Sequence, residues 1–312
     1  MNTNADTKSV YQIVTDRIIE QLEKGVVPWH QPWTKAGLPR NLVSGRAYKN
    51  INWLLLSMLG YERNLFLTFK QVGDLGAKVR KGEHAHPVVF WKRLEQKKDE
   101  STGEPIEKKK AMLRYYLVFN ISQCENLPER FVPPLPNSDP NPILRCEEII
   151  KFMPERPDIV HEKHKAFYHI IKDYINMPRI ETFENSESYY ETLFHELVHS
   201  TGHESRLKRQ SLTKTDMESY SVEELTAEIG ACYLMSEAGI FNSRVESSTA
   251  YIDSWLKALK GDKKFIFFAS NQAQRATDYI LDTMEPEIIP EATESSVLMG
   301  NIENGDLDDL PF

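Results

Sequence analysis

Two histidines bracket a glutamate in His195-Glu196-Leu197-Val198-His199. On an α-helix, positions i and i+4 project from one face a turn apart, so both imidazoles reach a single ion. Glu196 sits about 100° around from His195. From there it reaches a water beside the ion without ligating the ion itself. Zinc brings the pKa of such a water to about 7, and a carboxylate can then take its proton as it attacks a carbonyl. The pattern predicts His195 and His199 as metal ligands and Glu196 as general base. The bland counterpart is two surface histidines flanking a helical glutamate.

A hydrolytic site of this kind needs a third protein ligand and an open fourth position. Position 205 is Ser, so the third histidine of the metzincin arrangement is missing. His203 lies beyond Gly202 and reads as a rim residue. Glu224, in Ser221-Val-Glu-Glu-Leu-Thr-Ala-Glu228, is the stronger candidate, which makes the site gluzincin-like. Glu228 shares its face by i,i+4 spacing and is the alternative, while Glu223 is expected to point elsewhere. Ser221-x-x-Glu224 is also a capping box, a purely structural use for the same glutamate. The expected cofactor is Zn2+, although a His/His/Glu set also accepts Mn2+, cobalt or nickel. Tyr220 and His203 are candidates for oxyanion stabilisation, with simple packing the favoured reading of Tyr220.

These residues need rigid elements. Helices are predicted over 187–201, with Ser188 and Glu191 as a capping box and Gly202 as a stop, and over 222–238. Two short strands within His164–Met177 would offer an extended peptide an edge beside the metal helix. Further helices are expected over 142–153, 249–259 and 263–284. Upstream, Val10, Val14, Ile18 and Leu22 recur at a spacing of four and mark a helix. Residues 51–59 and 68–75 read as helices, the second capped by Thr68. Residues 87–92 and 114–120 read as strands flanking the charged excursion Gln96–Lys110. Six prolines fall within Pro128–Pro142 and cannot sustain a helix or a central strand there.

The expected fold is therefore α+β in two domains. A small mixed α/β domain (1–127) is followed by a Pro-rich linker (128–142). A mainly helical zincin-like domain (143–284) comes next, then an acidic tail (285–312) expected to be disordered.

The chain's 312 residues carry a net charge of −8, unevenly spread. Residues 1–140 hold 21 Lys and Arg against 15 Asp and Glu; the rest hold 17 against 31. Different partners for the two halves are implied. No apolar run is long enough to span a membrane. Three scattered cysteines and no secretory leader point to the cytoplasm.

Single-stranded DNA binding requires cations and exposed aromatic rings together. Arg40, Arg46, Tyr48, Lys49, Lys70, Lys78, Arg80 and Lys81 are the candidate DNA-binding residues. Trp29, Trp33, Phe69 and Trp91 interleave with them. Trp53 and Trp91 sit in apolar runs and are expected to be buried.

Several blocks then carry a family resemblance: HELVHSTGH, the RLxR of Arg206–Arg209, YSVEELTAEIGACYL and YIDSWLKAL, with VPWHQPW and LTFKQVGDLGAKVRKGEHAHPVVFWK upstream. Over residues 8–284 the chain resembles the ArdC-type antirestriction proteins of conjugative plasmids and phage. The resemblance implies an N-terminal single-stranded-DNA-binding domain, a C-terminal metallopeptidase-like domain with an unknown protein substrate, and protection of incoming mobile-element DNA. The alternative is a catalytically silent single-strand coat, or a replication or conjugal-transfer accessory, with a structural metal. Asn50 and Ala77 stand where glycines are expected in such a family. Asp306–Phe312 (DLDDLPF) resembles the acidic tip of bacterial single-stranded-DNA-binding proteins, which implies host partners that recognise such tips.

Overall fold

The computed structural model describes residues 9–30, 37–93, 111–132, 142–214, 216–240 and 252–284. The excursion Gln96–Lys110, Trp33, residues 133–141 of the Pro-rich stretch, residues 249–251 and the tail from 285 lie outside the described residues.

Ser9 caps the first helix, α1 (Val10–Glu23), by accepting a hydrogen bond from the Gln12 amide. The spacing of four buries Val10, Val14, Ile18 and Leu22 along one stripe. Next come β1 (Arg40–Asn41), α2 (Ile51–Ser57), β2 (Leu65–Thr68), α3 (Phe69–Asp74), β3 (Lys78–Val79), β4 (His86–Arg93), β5 (Ala111–Asn120) and β6 (Cys124–Glu125). Thr68 caps α3 as its sequence suggests, in a reciprocal box with Gln71. Strands β1, β2, β5 and β4 form one sheet in that order, with β1 parallel to β2 and the other pairs antiparallel. A two-strand ribbon joins β3 to β6.

The second half holds α4 (Pro142–Phe152), β7 (Asp158–Val160), β8 (Phe167–His169), β9 (Tyr174–Asn176), α5 (Ser186–Thr201), α6 (Gln210–Thr213), α7 (Met217–Ala238), α8 (Ile252–Gly261) and α9 (Phe265–Ile280). Its small sheet runs β7-β9-β8, so β8 is an edge strand. β7 escapes sequence reading because three residues directly after Pro154 and Pro157 show no period. The caps also differ from expectation. Asn185, not Ser188, caps α5. Asp216 caps α7 a turn earlier than the Ser221 box would. Ser221 and Glu224 thus lie inside α7, and Glu224 is not tied up in a cap.

The two halves share a core. Val14, Ile18, Trp29, Trp53 and Leu54 pack with Leu225, Tyr233, Trp255, Phe265 and Ile266 in one apolar cluster. Trp29 meets Trp255 edge-on at 5.0 Å, and Trp53 meets Tyr233 at 5.3 Å. Polar latches cross as well: Thr15 donates to the Lys263 carbonyl at 2.7 Å, and the Asn50 amide donates to Gln274 at 3.0 Å. A second cluster joins α4, α5, α7 and α9 beneath the histidine helix. Trp53 is buried as expected, but Trp91 is 47% exposed: it shares a face of β4 with buried Val89 and lies nearer the strand's end, where cover by that core runs out.

Candidate functional site

Helix α5 carries His195, Glu196 and His199, and α7 crosses beside it. Gly230 makes the crossing close: a Cβ there would meet Val198 Cγ2 at 2.8 Å. This contact brings Glu224 over the two histidines. His195 Nε2 and His199 Nε2 lie 3.0 Å apart, and each is 3.7 Å from a Glu224 carboxylate oxygen. One donor atom from each of the three falls within 4.8 Å of the others. Glu228 approaches the opposite nitrogen, His195 Nδ1, at 3.6 Å.

Glu223, which sequence reasoning set aside, is buried and hydrogen-bonded to His199 Nδ1 at 3.0 Å. Arg209 donates to both its oxygens, at 2.6 and 3.0 Å, and Ser211 adds a third bond at 2.6 Å. Burial alone would raise the Glu223 carboxyl; the Arg209 charge and these bonds hold it well below the carboxylate range. With the Nδ1 proton directed at Glu223, the His199 Nε2 lone pair faces His195 and Glu224. Burial works against a charged His199, yet the Glu223 bond and charge outweigh it and raise its pKa to about 8. Metal-ligating histidines commonly hold a carboxylate on their other nitrogen. That rule could have nominated the glutamate beside Glu224.

The donor set suits a divalent cation. Two imidazole nitrogens on one tetrahedral zinc, each at about 2.0–2.1 Å, would lie about 3.3 Å apart, close to the spacing here. Without an ion, the 3.0 Å spacing is that of a hydrogen bond between the rings, with one Nε2 carrying the proton that a metal would displace.

Glu196 is 9% exposed beside this triad. Burial pushes its carboxyl up, opposed by His199 and by a hydrogen bond from the Tyr168 backbone amide. That amide belongs to the edge strand β8. Arg206 fixes the strand: it donates to Asp173, to the Tyr168 hydroxyl at 3.2 Å, and to the Ser200 carbonyl at the end of α5 at 2.7 Å. A cleft of about 380 Å³ opens over the site, lined by Phe167, Tyr168 and Ile170 from β8 and the turn after it, and by Glu196, Leu212 and Tyr220. Tyr220 is 46% exposed and faces the cleft instead of packing, and it hydrogen-bonds toward Glu224. His203 bonds to Ser205 at the exposed rim, outside this lining.

The candidate DNA residues are scattered by comparison. Tyr48 is 4% exposed and packs edge-on against Phe66, so it is core and cannot stack on a base. Arg40 donates to the Gly45 carbonyl within its own turn. Arg46 is exposed, and Lys49 turns toward Asp278 of α9 at 3.7 Å. Lys70 is half-buried, while Lys78 and Lys81 are exposed. Arg80 is engaged partly by its own loop, bonding to Glu83 and to the Ser122 carbonyl.

Among the described residues no helix is long and apolar enough to cross a membrane. Residues 8–119 match the model of the N-terminal domain of anti-restriction factor ArdC, and residues 146–272 that of a zincin-like metallopeptidase. The metal-free crystal structure of antirestriction protein ArdC from plasmid R388 superposes with a TM-score of 0.73 at 39% identity, over 88% of this chain and 97% of that one. Its Mn(II)-bound form gives 0.71 at 38% identity, over 88% and 98%. Protein y4eC of Sinorhizobium fredii is 31% identical over 87% of this chain and 91% of its own length. Two DNA primases TraC of Escherichia coli are 33% and 36% identical over 93% and 88% of this chain, which spans only 29% and 20% of their lengths.

Proposed function

This chain belongs to the ArdC-type antirestriction family, and from that premise we propose that it binds single-stranded DNA without sequence preference and carries a working metallopeptidase centre. It would protect incoming mobile-element DNA. The convergence of His195 Nε2, His199 Nε2 and a Glu224 oxygen carries the catalytic half of this reading. The relative crystallised with Mn(II) supports a divalent ion; zinc is the first candidate, on the His/His/Glu donor set.

His195, His199 and Glu224 would hold the ion. When bound, it supplies Lewis-acid polarisation of a carbonyl and acidification of a water. An extended peptide adds to the free edge of β8, which sets its carbonyl over the triad. Glu196, its basicity raised by burial, accepts a proton from the attacking water and returns it to the leaving amine. Tyr220 is placed on the cleft wall to donate to the developing oxyanion. Glu223 and Arg209 hold the His199 tautomer.

The test is a DNA-protection assay with wild type and Glu196→Ala, both loaded to equal metal content by elemental analysis. Protection is expected to fail in the variant while single-strand binding persists. Full protection by the variant would instead favour a second reading, a coat or replication accessory with a structural metal. The similarity of about nine-tenths of this chain to part of the much longer TraC primases favours that second reading.

A further inference from the structure

The sheet of the first half leaves a strip of one face uncovered. Strand pairing puts Leu67 opposite Phe119 and Pro87 opposite Leu117, so these four share a face. At one side α3 covers it, burying Leu67 with Val72 and Ala77. At the other side α1 covers it, leaving an apolar groove of about 200 Å³ lined by Ile13, Arg17, Ala85, Pro87, Tyr115 and Leu117. Between the two helices Leu117 is 48% exposed and Phe69 57% exposed. The Phe69 ring stands 6.2 Å from that of Phe119.

Phe69 is not placed for packing. It is the first residue of α3, held between Thr68 and Gln71 of the capping box, so its backbone is fixed while its ring is 57% exposed. Cationic segments border the strip. The chain from Lys78 to Ala85 runs along its end: the Arg80 amide donates to the Gln123 carbonyl, and the Gln123 side chain donates to the His84 carbonyl. In this segment, which reaches the groove at Ala85, Lys78 and Lys81 are exposed, and exposed Arg17 lines the groove on α1.

We propose that this strip is the single-strand platform, with bases stacking on Phe69 over Phe119 and Leu117 and phosphates tracking Lys78, Lys81 and Arg17. The proposal rests on the single-strand reading above and gives it a location in place of Tyr48, which is buried. An exposed aromatic ring with apolar neighbours and nearby cations matches the neutral bases and charged backbone of an unpaired strand. A rigid duplex cannot insert its stacked bases into so narrow a strip, so single strands are preferred.

The experiment is fluorescence anisotropy of a labelled oligodeoxythymidylate with the full-length protein, over a salt series. Phe69→Ala should weaken binding roughly 5- to 150-fold, the loss expected for one stacked base, and Phe69→Tyr should restore it. Lys78→Gln with Lys81→Gln should reduce the slope of log affinity against log salt by about 0.7 for each phosphate no longer neutralised. Circular dichroism melting checks that each variant folds, as expected for exposed side chains. Wild-type affinity in Phe69→Ala, or an unchanged salt slope in the lysine double variant, would overturn the location while leaving single-strand binding standing. No binding by the wild type would overturn the single-strand reading itself.

Discussion

Glu223 links catalysis to stability at the scale of one residue. Its two oxygens take bonds from Arg209, Ser211 and His199, and the Arg209 side chain is only 3% exposed. Removing the negative charge strands a buried guanidinium, a defect that commonly costs about 3–5 kcal/mol. It also frees the His199 ring to turn or to change tautomer. Glu223→Gln is therefore expected to lower thermal stability and to weaken metal binding by about 10- to 100-fold. Chelator competition, run well below the variant's melting temperature, separates the two effects. Ser211→Ala, which removes one neutral donor, should cost only about 1 kcal/mol. Equal metal affinity in wild type and Glu223→Gln would mean that the carboxylate serves packing alone.

Between elements, the decisive contact is the crossing of α5 and α7. Gly230 sits in mid-helix, where alanine would ordinarily gain about 1 kcal/mol in helix propensity. Here the added methyl meets Val198 Cγ2 at 2.8 Å and Cγ1 at 3.1 Å. Val198 is β-branched and close to a single rotamer in a helix, so it cannot swing aside. Gly230→Ala is expected to destabilise by about 1–3 kcal/mol in spite of propensity. Because Val198 adjoins His199 on α5 and Glu224 rides on α7, the same change should spread the triad and weaken metal binding. Adding Val198→Ala to make room should recover part of both losses. Additive effects of the two substitutions in a double-mutant cycle would argue against the steric account.

Across the whole molecule, the shared core makes the two domains one cooperative body. Trp255 is 0% exposed on α8, yet its edge-on partner is Trp29 from the first half. Trp255→Ala should cost about 3–5 kcal/mol. The near-ultraviolet signal of the first-half aromatics should be lost together with the helical signal, in one transition. Two separated transitions in calorimetry, with only the later half shifted, would show that the domains unfold independently. This coupling also gives a physical route between Lys49 and Asn50, which face α9, and the α7 helix that carries Glu224.

Periodicity was enough to find α1, whose apolar residues recur every four along one stripe, whereas α7 is buried nearly all round and carries no such stripe. The i,i+4 histidines and Glu224 were legible for a related reason: helical geometry fixes which side chains share a face before any packing occurs. Thr68 announced its cap through a local pattern that the backbone itself completes. Three-residue strands such as β7 carry too few residues for a period, and exist only because a neighbouring strand supplies their bonds. The role of Glu223 was open to a general rule about ligand histidines but not to spacing, and that of Tyr48 was out of reach. A glutamate one position from Glu224 becomes an orienting group only where Arg209, 14 residues upstream, folds back against it. A tyrosine among cations is a stacking surface or core according to what covers it, and that is settled by Phe66 and its cluster. The order of residues was enough to say which chemistry is on hand and which helices carry it. Which of those groups meet, and which face water, was decided by folding in three dimensions. Both depend on packing between segments whose separation along the chain encodes nothing about their distance in space.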